Sequence, residues 1–223
     1  MERYAILGDV HGDLRRLDEA LEMLLALDRK IIMVGDYINR GPNGRMVLDR
    51  LMELRSLASS SVFLRGNHED ALIRYLEDRS QLNRFLRHGG LATMKTYLDA
   101  AVEAPSFEAF RRIFPLSHRT LLQDMPSYFE VPGLLVSHVG VDPARPNVRD
   151  AQTMVCTPHP DLFLPATLDR LPPGVTYVFG HYVQRSGRPY DAGRIVCIDT
   201  GCGTIAGGRL TAMLFPEHTF LQF

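Results

Sequence analysis

Five short apolar runs in this 223-residue chain each stop at a polar side chain of metal-ligating type, four of them through a glycine. Ala5-Ile6-Leu7 runs into Gly8-Asp9-Val10-His11. Ile31-Ile32-Met33-Val34 ends at Gly35-Asp36, and Val62-Phe63-Leu64 leads through Arg65 to Gly66-Asn67-His68-Glu69. Leu134-Leu135-Val136-Ser137 ends at His138, and Val175-Thr176-Tyr177-Val178-Phe179 at Gly180-His181. Runs apolar at consecutive positions suit strands of a sheet covered on both faces. Glycine lets the backbone turn sharply and approach a ligand closely. In open α/β sheets ligands gather beyond the carboxyl ends of the strands. The pattern therefore predicts an α/β fold with Asp9, His11, Asp36, Asn67, His138 and His181 at one site, and His68 and Arg40 beside it. An isolated Asp-x-His would carry little weight, since turn residues commonly end strands; the ordered set carries the argument.

Between these runs the periodicity is helical. Residues 13–28 place Leu14, Leu17, Leu21, Leu24 and Leu25 on one face, with Asp13 as N-cap. Further helices are predicted over about 43–57 and 70–87, with His88-Gly89-Gly90 as a stop, and two or three more between Leu91 and Leu122. The second half is strand-rich and closes with a predicted hairpin of Thr211–Phe215 and Thr219–Phe223. The proline-rich stretch from Pro143 to Pro173 reads as a long loop with a short helix near the site. No repeat or low-complexity stretch divides the chain, so residues 1–223 are expected to form a single domain.

A net charge of −1 argues against a nucleic-acid partner, and no apolar run reaches membrane length. Three cysteines without a Cys-x-x-Cys pair, and no signal peptide, predict a reduced, cytoplasmic protein. A cysteine-dependent phosphatase would need Arg six residues after its nucleophile. Leu162, Gly203 and Gly208 stand six residues after Cys156, Cys197 and Cys202.

Two carboxylates, three imidazoles and one amide make a mixed oxygen and nitrogen donor set, suited to Mn2+, Fe or Zn2+, with Mn2+ the first choice. Six protein ligands exceed what one open catalytic ion needs and suffice for two. Two divalent ions with Arg40 would outweigh two aspartates, leaving a positive site that attracts phosphate. A water held between the ions would be a nucleophile at neutral pH.

The order Asp-x-His, Gly-Asp-x-x-x-Arg-Gly, Gly-Asn-His-Glu and two isolated histidines resembles the calcineurin-like metallophosphoesterases. Within them it is most similar to the small bacterial and phage form of the phosphoprotein phosphatase branch. The resemblance runs from Tyr4 to about Leu214 and includes Ile198-Asp199-Thr200-Gly201 and Gly207-Gly208-Arg209-Leu210-Thr211. It implies a central β-sandwich flanked by helices, with a dinuclear metal site at strand carboxyl ends. It implies Asp9, His11 and Asp36 at one ion, and Asp36, Asn67, His138 and His181 at the other, with Asp36 bridging. It further implies His68 as general acid, supported from position 39, and Arg40, Asn67 and His68 as substrate-binding groups, with Arg40 the phosphate clamp. The chain departs from the pattern twice. Asn39 stands where the branch has Asp, and no Trp-x-Arg follows His138, leaving Arg145 and Arg149 as candidates for a second clamp.

The resulting expectation is a metal-dependent phosphomonoesterase acting on a phosphorylated protein, a phosphopeptide or a small phosphoester, with serine/threonine phosphatase activity first. The alternative is a dinucleoside polyphosphate hydrolase of the diadenosine tetraphosphate type. A reading of another class, motivated by Asn39 and the absent Trp-x-Arg, is a weakened pseudo-phosphatase that binds phosphorylated partners.

Overall fold

The computed structural model describes residues 2–98 and 107–223. β1 (Tyr4–Leu7), β2 (Lys30–Met33) and β3 (Val62–Phe63) lie parallel, with Ile6 opposite Ile32 and Ile32 opposite Val62. A second sheet holds β4 (Tyr128–Val131), β5 (Leu134–Ser137), β6 (Thr176–Phe179), β7 (Tyr190–Asp191) and β8 (Ile195–Cys197), in the order β4-β5-β6-β8-β7. Its three central strands are parallel and its two edges antiparallel. From β8 the chain returns to the first sheet through β9 (Asp199–Thr200), which pairs with β10 (Arg209–Phe215). β10 lies antiparallel to β1 and forms a hairpin with β11 (Thr219–Gln222). The resulting β-sandwich is the expected one; the edge strands β4 and β7 lacked a sequence signal.

Side-chain alternation along the strands decides which layer each residue joins. Ile6, Ile32 and Val34 from the first sheet meet Leu134, Val136, Val178, Val196 and Ile198 from the second, forming the core between the sheets. Their neighbours Ala5, Leu7, Ile31 and Met33 face the helices instead. Those helices are α1 (Leu14–Leu25), α2 (Gly44–Leu57), α3 (Asn67–Glu77), α4 (Leu82–Arg87), α5 (Gly90–Lys95), α6 (Phe107–Ile113) and α7 (Leu116–Gln123). The outer face of the second sheet is covered by residues 139–171, where Val141, Met154, Leu162 and Leu171 pack on Leu135, Tyr177 and Phe179. That stretch contains helical turns and one short helix, α8 (Thr167–Arg170).

Two helix expectations need correction. Residues 70–87 do not form one helix: Asp78 adopts an extended conformation (ψ 115°) and its side chain caps a following turn at Ser80, separating α3 from α4. α3 also starts three residues earlier than expected, at Asn67, because Gly66 serves as its N-cap and Glu69 reaches back to the Gly66 N–H. The first helix ends at Leu25 rather than at residue 28, while Asp13 caps it as expected, accepting from the Arg16 N–H at 3.1 Å. Three helices, α5 to α7, occupy the stretch around 91–122, within which residues 99–106 lie outside the described residues. Among the described residues no helix is long and apolar enough to cross a membrane.

Ile6 is fully buried between the sheets. Ile6→Ala is expected to cost about 2–5 kcal/mol, the usual range for truncating a buried aliphatic side chain. The check is the shift in urea midpoint at unchanged slope.

Candidate metal centre

All six predicted ligands sit just beyond the carboxyl ends of parallel strands: Asp9 and His11 after β1, Asp36 after β2, Asn67 after β3, His138 after β5 and His181 after β6. Bringing loops from two sheets to one point forces unusual backbone. Among the described residues six non-glycine positions have positive φ, and five are His11, Asp36, Asn39, Arg40 and His181. Such conformations cost of order 1–3 kcal/mol each and persist only where the surroundings impose them. Close approach also explains two glycines. A Cβ at Gly180 would stand 1.9 Å from Asp9 Oδ1, and one at Gly66 2.2 Å from Asp36 Oδ1.

Among the described residues two overlapping groups of side chains could each hold an ion: His11, Asp36 and His68, and Asp36, His138 and His181. Asp36 belongs to both and divides its oxygens between them. Its Oδ2 lies 3.6 Å from His11 Nε2, and its Oδ1 lies 3.4 Å from His138 Nε2. Asp9 Oδ2 is 3.9 Å from His11 Nε2. Asn67 Oδ1 is 2.8 Å from His138 Nε2 and 3.0 Å from His181 Nδ1. The His181 backbone N–H donates to the Asp9 carboxylate at 3.1 Å.

The outward nitrogens of two of these rings have backbone partners. His11 Nδ1 faces the Ile38 carbonyl at 3.2 Å, and His138 Nδ1 faces the Val34 carbonyl at 3.2 Å. A histidine that donates its Nδ1–H to a carbonyl presents its Nε2 lone pair inward, as metal-ligating histidines do. Burial lowers His11 to about pH 4, and burial with the nearby His138 lowers His181 to about 4, so both rings are neutral near pH 7. Burial works against Asp36, yet the adjoining His138 ring holds its carboxyl well below the usual range. Burial, then the charges of Asp199 and Asp36, push Asp9 well above it. Inward lone pairs and carboxylates converging in a buried space is an arrangement that bound cations satisfy, and the donor set fits divalent ions.

His68 differs from His11 although its Nε2 is also 3.6 Å from Asp36 Oδ2. Its Nδ1 lies 3.1 Å from the Asn39 side-chain amide nitrogen. The Thr93 hydroxyl, which accepts the Asn39 backbone N–H at 2.8 Å, donates to Asn39 Oδ1 at 2.7 Å. This leaves the Asn39 NH2 to donate to His68 Nδ1, which puts the ring proton on Nε2. Arg40 brings a guanidinium nitrogen to 3.4 Å from the same Nε2. Two donors then converge on one point, which suits an acceptor such as a phosphate oxygen. Burial moves His68 well below its ordinary pKa, favouring this neutral form.

Several contributors escaped the sequence reading. Glu69 is fully buried. Its Oε2 accepts the Asp36 and Gly66 N–H groups at 2.8 and 3.0 Å, and its Oε1 those of Tyr37 and Ile38 at 2.9 and 3.3 Å. Burial, then the Asp36 charge, push its carboxyl up to about 7, against the pull of these N–H groups. Asp199 follows the sixth parallel strand end, that of β8, and is buried beside Asp9, with Oδ2 lacking a hydrogen-bond partner among the described residues. Its Asp-Thr-Gly motif was the available signal. Thr93 had none, because only the fold brings α5 to Asn39. His88 lies edge-on to His68, with ring centroids 5.0 Å apart. Tyr37 is packing, donating to the Leu64 carbonyl at 2.8 Å. Arg145 and Arg149 are engaged by Asp142 and Glu130, each at 2.9 Å. The long loop reaches the site's edge through His159, whose N–H donates to the Tyr182 hydroxyl beside His181.

The sequence profile of the calcineurin-like phosphoesterases matches residues 2–199, and the chain belongs to that family. A curated relative, the bis(5′-nucleosyl)-tetraphosphatase PrpE (asymmetrical) of Halalkalibacterium halodurans, is 29% identical over 99% of this chain and 93% of its own length. A solved structure named as a candidate diadenosine tetraphosphatase superposes with a TM-score of 0.68 at 21% identity, covering 100% of this chain and 93% of that one. A cold-active protein-tyrosine phosphatase from a Shewanella species follows at 0.62 and 15% identity, covering 100% and 80%. These two solved structures speak to the fold. The chain is a metallophosphoesterase with the α/β sandwich of its family.

Glu69→Gln would turn an amide NH2 toward two backbone N–H groups that now donate to a carboxylate. The expected loss is about 1–3 kcal/mol for each buried donor left unpaired, read by urea unfolding, with metal content by elemental analysis falling in parallel. Asp36→Asn is expected to lower metal content strongly while leaving the circular dichroism spectrum unchanged; retained metal and rate would refute a shared anchor at Asp36.

Proposed function

We propose that this protein hydrolyses dinucleoside polyphosphates of the diadenosine tetraphosphate type, with residues 1–223 acting as one catalytic unit. The observation that carries this reading is the contact between Asn39 and His68. A carboxylate at position 39 would favour the imidazolium and a strong general acid. The amide supports only a neutral ring with its proton on Nε2. A phosphoanhydride leaves as a phosphate oxygen, which needs little protonation; a serine alkoxide needs much. The names of the relatives support the same choice.

On this reading Asp9, His11 and Asp36 would hold one divalent ion and Asp36, Asn67, His138 and His181 the other, with Mn2+ our first choice of metal. When bound, the ions supply Lewis acidity and activate the attacking water. Arg40 binds the phosphate group, its planar guanidinium spanning two oxygens. His68 Nε2–H hydrogen-bonds the leaving oxygen, and Asn39, locked by Thr93, fixes the tautomer that makes this possible. Glu69 holds the loops that carry Asp36 and Asn67 without touching substrate.

The test is kcat/KM with Mn2+ for diadenosine tetraphosphate and for a phosphoserine peptide. A clear preference for the dinucleotide, with unequal nucleotide products, is expected. A preference for the peptide would restore the phosphoprotein reading, and binding without turnover of either would make the protein a pseudo-phosphatase.

Asn39→Asp is expected to raise kcat on an alkyl phosphate by up to about 10²-fold, the lower end of what general acid catalysis contributes. Its effect on diadenosine tetraphosphate should be small. Equal changes for both substrates would remove position 39 from support of the acid.

A further inference from the structure

Beyond Arg40 the surface opens into a cavity of about 490 Å3, lined by Arg40, Pro42, Leu91, Ala92, Lys95 and Thr96. Its volume falls within the range of small-molecule sites. It is continuous with the candidate centre through one side chain, since Arg40 both lines the cavity and reaches within 3.4 Å of His68 Nε2. α5 borders the cavity. Its inward residue, Thr93, is fully buried against Asn39, whereas Leu91, Ala92 and Lys95 line the cavity. Arg40 is fixed against the start of this helix, its N–H donating to the Gly89 carbonyl at 3.4 Å.

The lining has two chemical halves. Arg40 and Lys95 are exposed cations with no carboxylate partner among the described residues. Pro42, Leu91 and Ala92 form an apolar wall, and Leu91 is 42% exposed despite its size. A ligand that suits both halves is anionic next to the reacting phosphorus and apolar farther out.

We propose that this cavity binds the distal nucleotide arm of a dinucleoside polyphosphate. The phosphates beyond the scissile bond pass from Arg40 to Lys95, and the nucleoside lies against Leu91 and Pro42. The proposal rests on the function argued above and adds where the second half of that substrate goes. A phosphopeptide would offer no second phosphate to Lys95.

The test has two arms. In the first, kcat/KM for diadenosine tetraphosphate is divided by that for p-nitrophenyl phosphate, in the parent, Lys95→Ala and Leu91→Asp. The ratio should fall about fivefold for Lys95→Ala, as for one lost surface charge contact. It should fall about tenfold for Leu91→Asp, which replaces apolar contact by repulsion. In the second arm, adenosine 5′-tetraphosphate and inorganic tripolyphosphate compete against p-nitrophenyl phosphate. Lys95→Ala should weaken both inhibitors, and Leu91→Asp should abolish the advantage of the nucleotide over the inorganic chain. Unchanged ratios and inhibition constants, or losses shared equally by every ligand, would overturn the cavity assignment. Absence of dinucleotide hydrolysis by the parent would overturn the proposed function instead, and the inhibition arm would still decide the cavity.

Discussion

Glu69 is the constraint on which the geometry of the centre depends. The parallel ladder between β2 and β3 stops at Met33 opposite Phe63, with a last bond from the Leu64 N–H to the Met33 carbonyl at 2.9 Å. Glu69 replaces that ladder with one carboxylate, which takes N–H groups from Asp36, Tyr37 and Ile38 on one loop and from Gly66 on the other. Asp36 is thereby fixed with φ at 55° and its two oxygens directed to different imidazoles. The left-handed backbone at His11, Asp36, Asn39, Arg40 and His181 is tolerable because hydrogen bonds and close packing leave these loops no relaxed alternative.

The ligand positions were legible in the sequence because each follows an apolar strand run, and parallel strands bring their carboxyl ends to one edge. Asp199 follows the same rule after β8, but the run Ile195–Ile198 passes directly into another strand, so the turn that marks the other sites is missing. Glu69 is illegible in the sequence for a different reason. Its local role as a capping-box residue is real, and it accounts for only one of the four N–H groups that the side chain accepts. The other three come from more than thirty residues away in sequence. Thr93 and the edge strands β4 and β7 depend on tertiary neighbours, which local periodicity does not record. The single helix expected over 70–87 fails at Asp78, whose side chain competes for local backbone N–H groups and favours a turn.

Position 39 links fold to chemistry most directly. An aspartate there would keep its acceptor contact with the Thr93 hydroxyl and still face His68, so the fold does not require the amide. What the amide changes is the charge that His68 can hold. Arg40 stands at the same Nε2 and already disfavours an imidazolium, as does burial. Burial and Arg40 outweigh the opposing pull of the Asp36 carboxylate, so the ring is best suited to donating a hydrogen bond to an oxygen that departs with its own negative charge.

That leaves α5 as the element joining both halves of the proposed substrate. It is six residues long. Thr93 on its inner side fixes the amide that sets the state of His68, and Leu91 and Lys95 on its outer side line the cavity beyond Arg40. A shift of this helix would therefore act on leaving-group chemistry and on substrate reach together. The two need to match, since a weak acid suits an anhydride, and a cavity with cationic and apolar halves suits the nucleotide arm that an anhydride substrate carries. A phosphoserine substrate would ask the same helix for the opposite on both sides: a charged His68 within, and no cationic path leading away from Arg40.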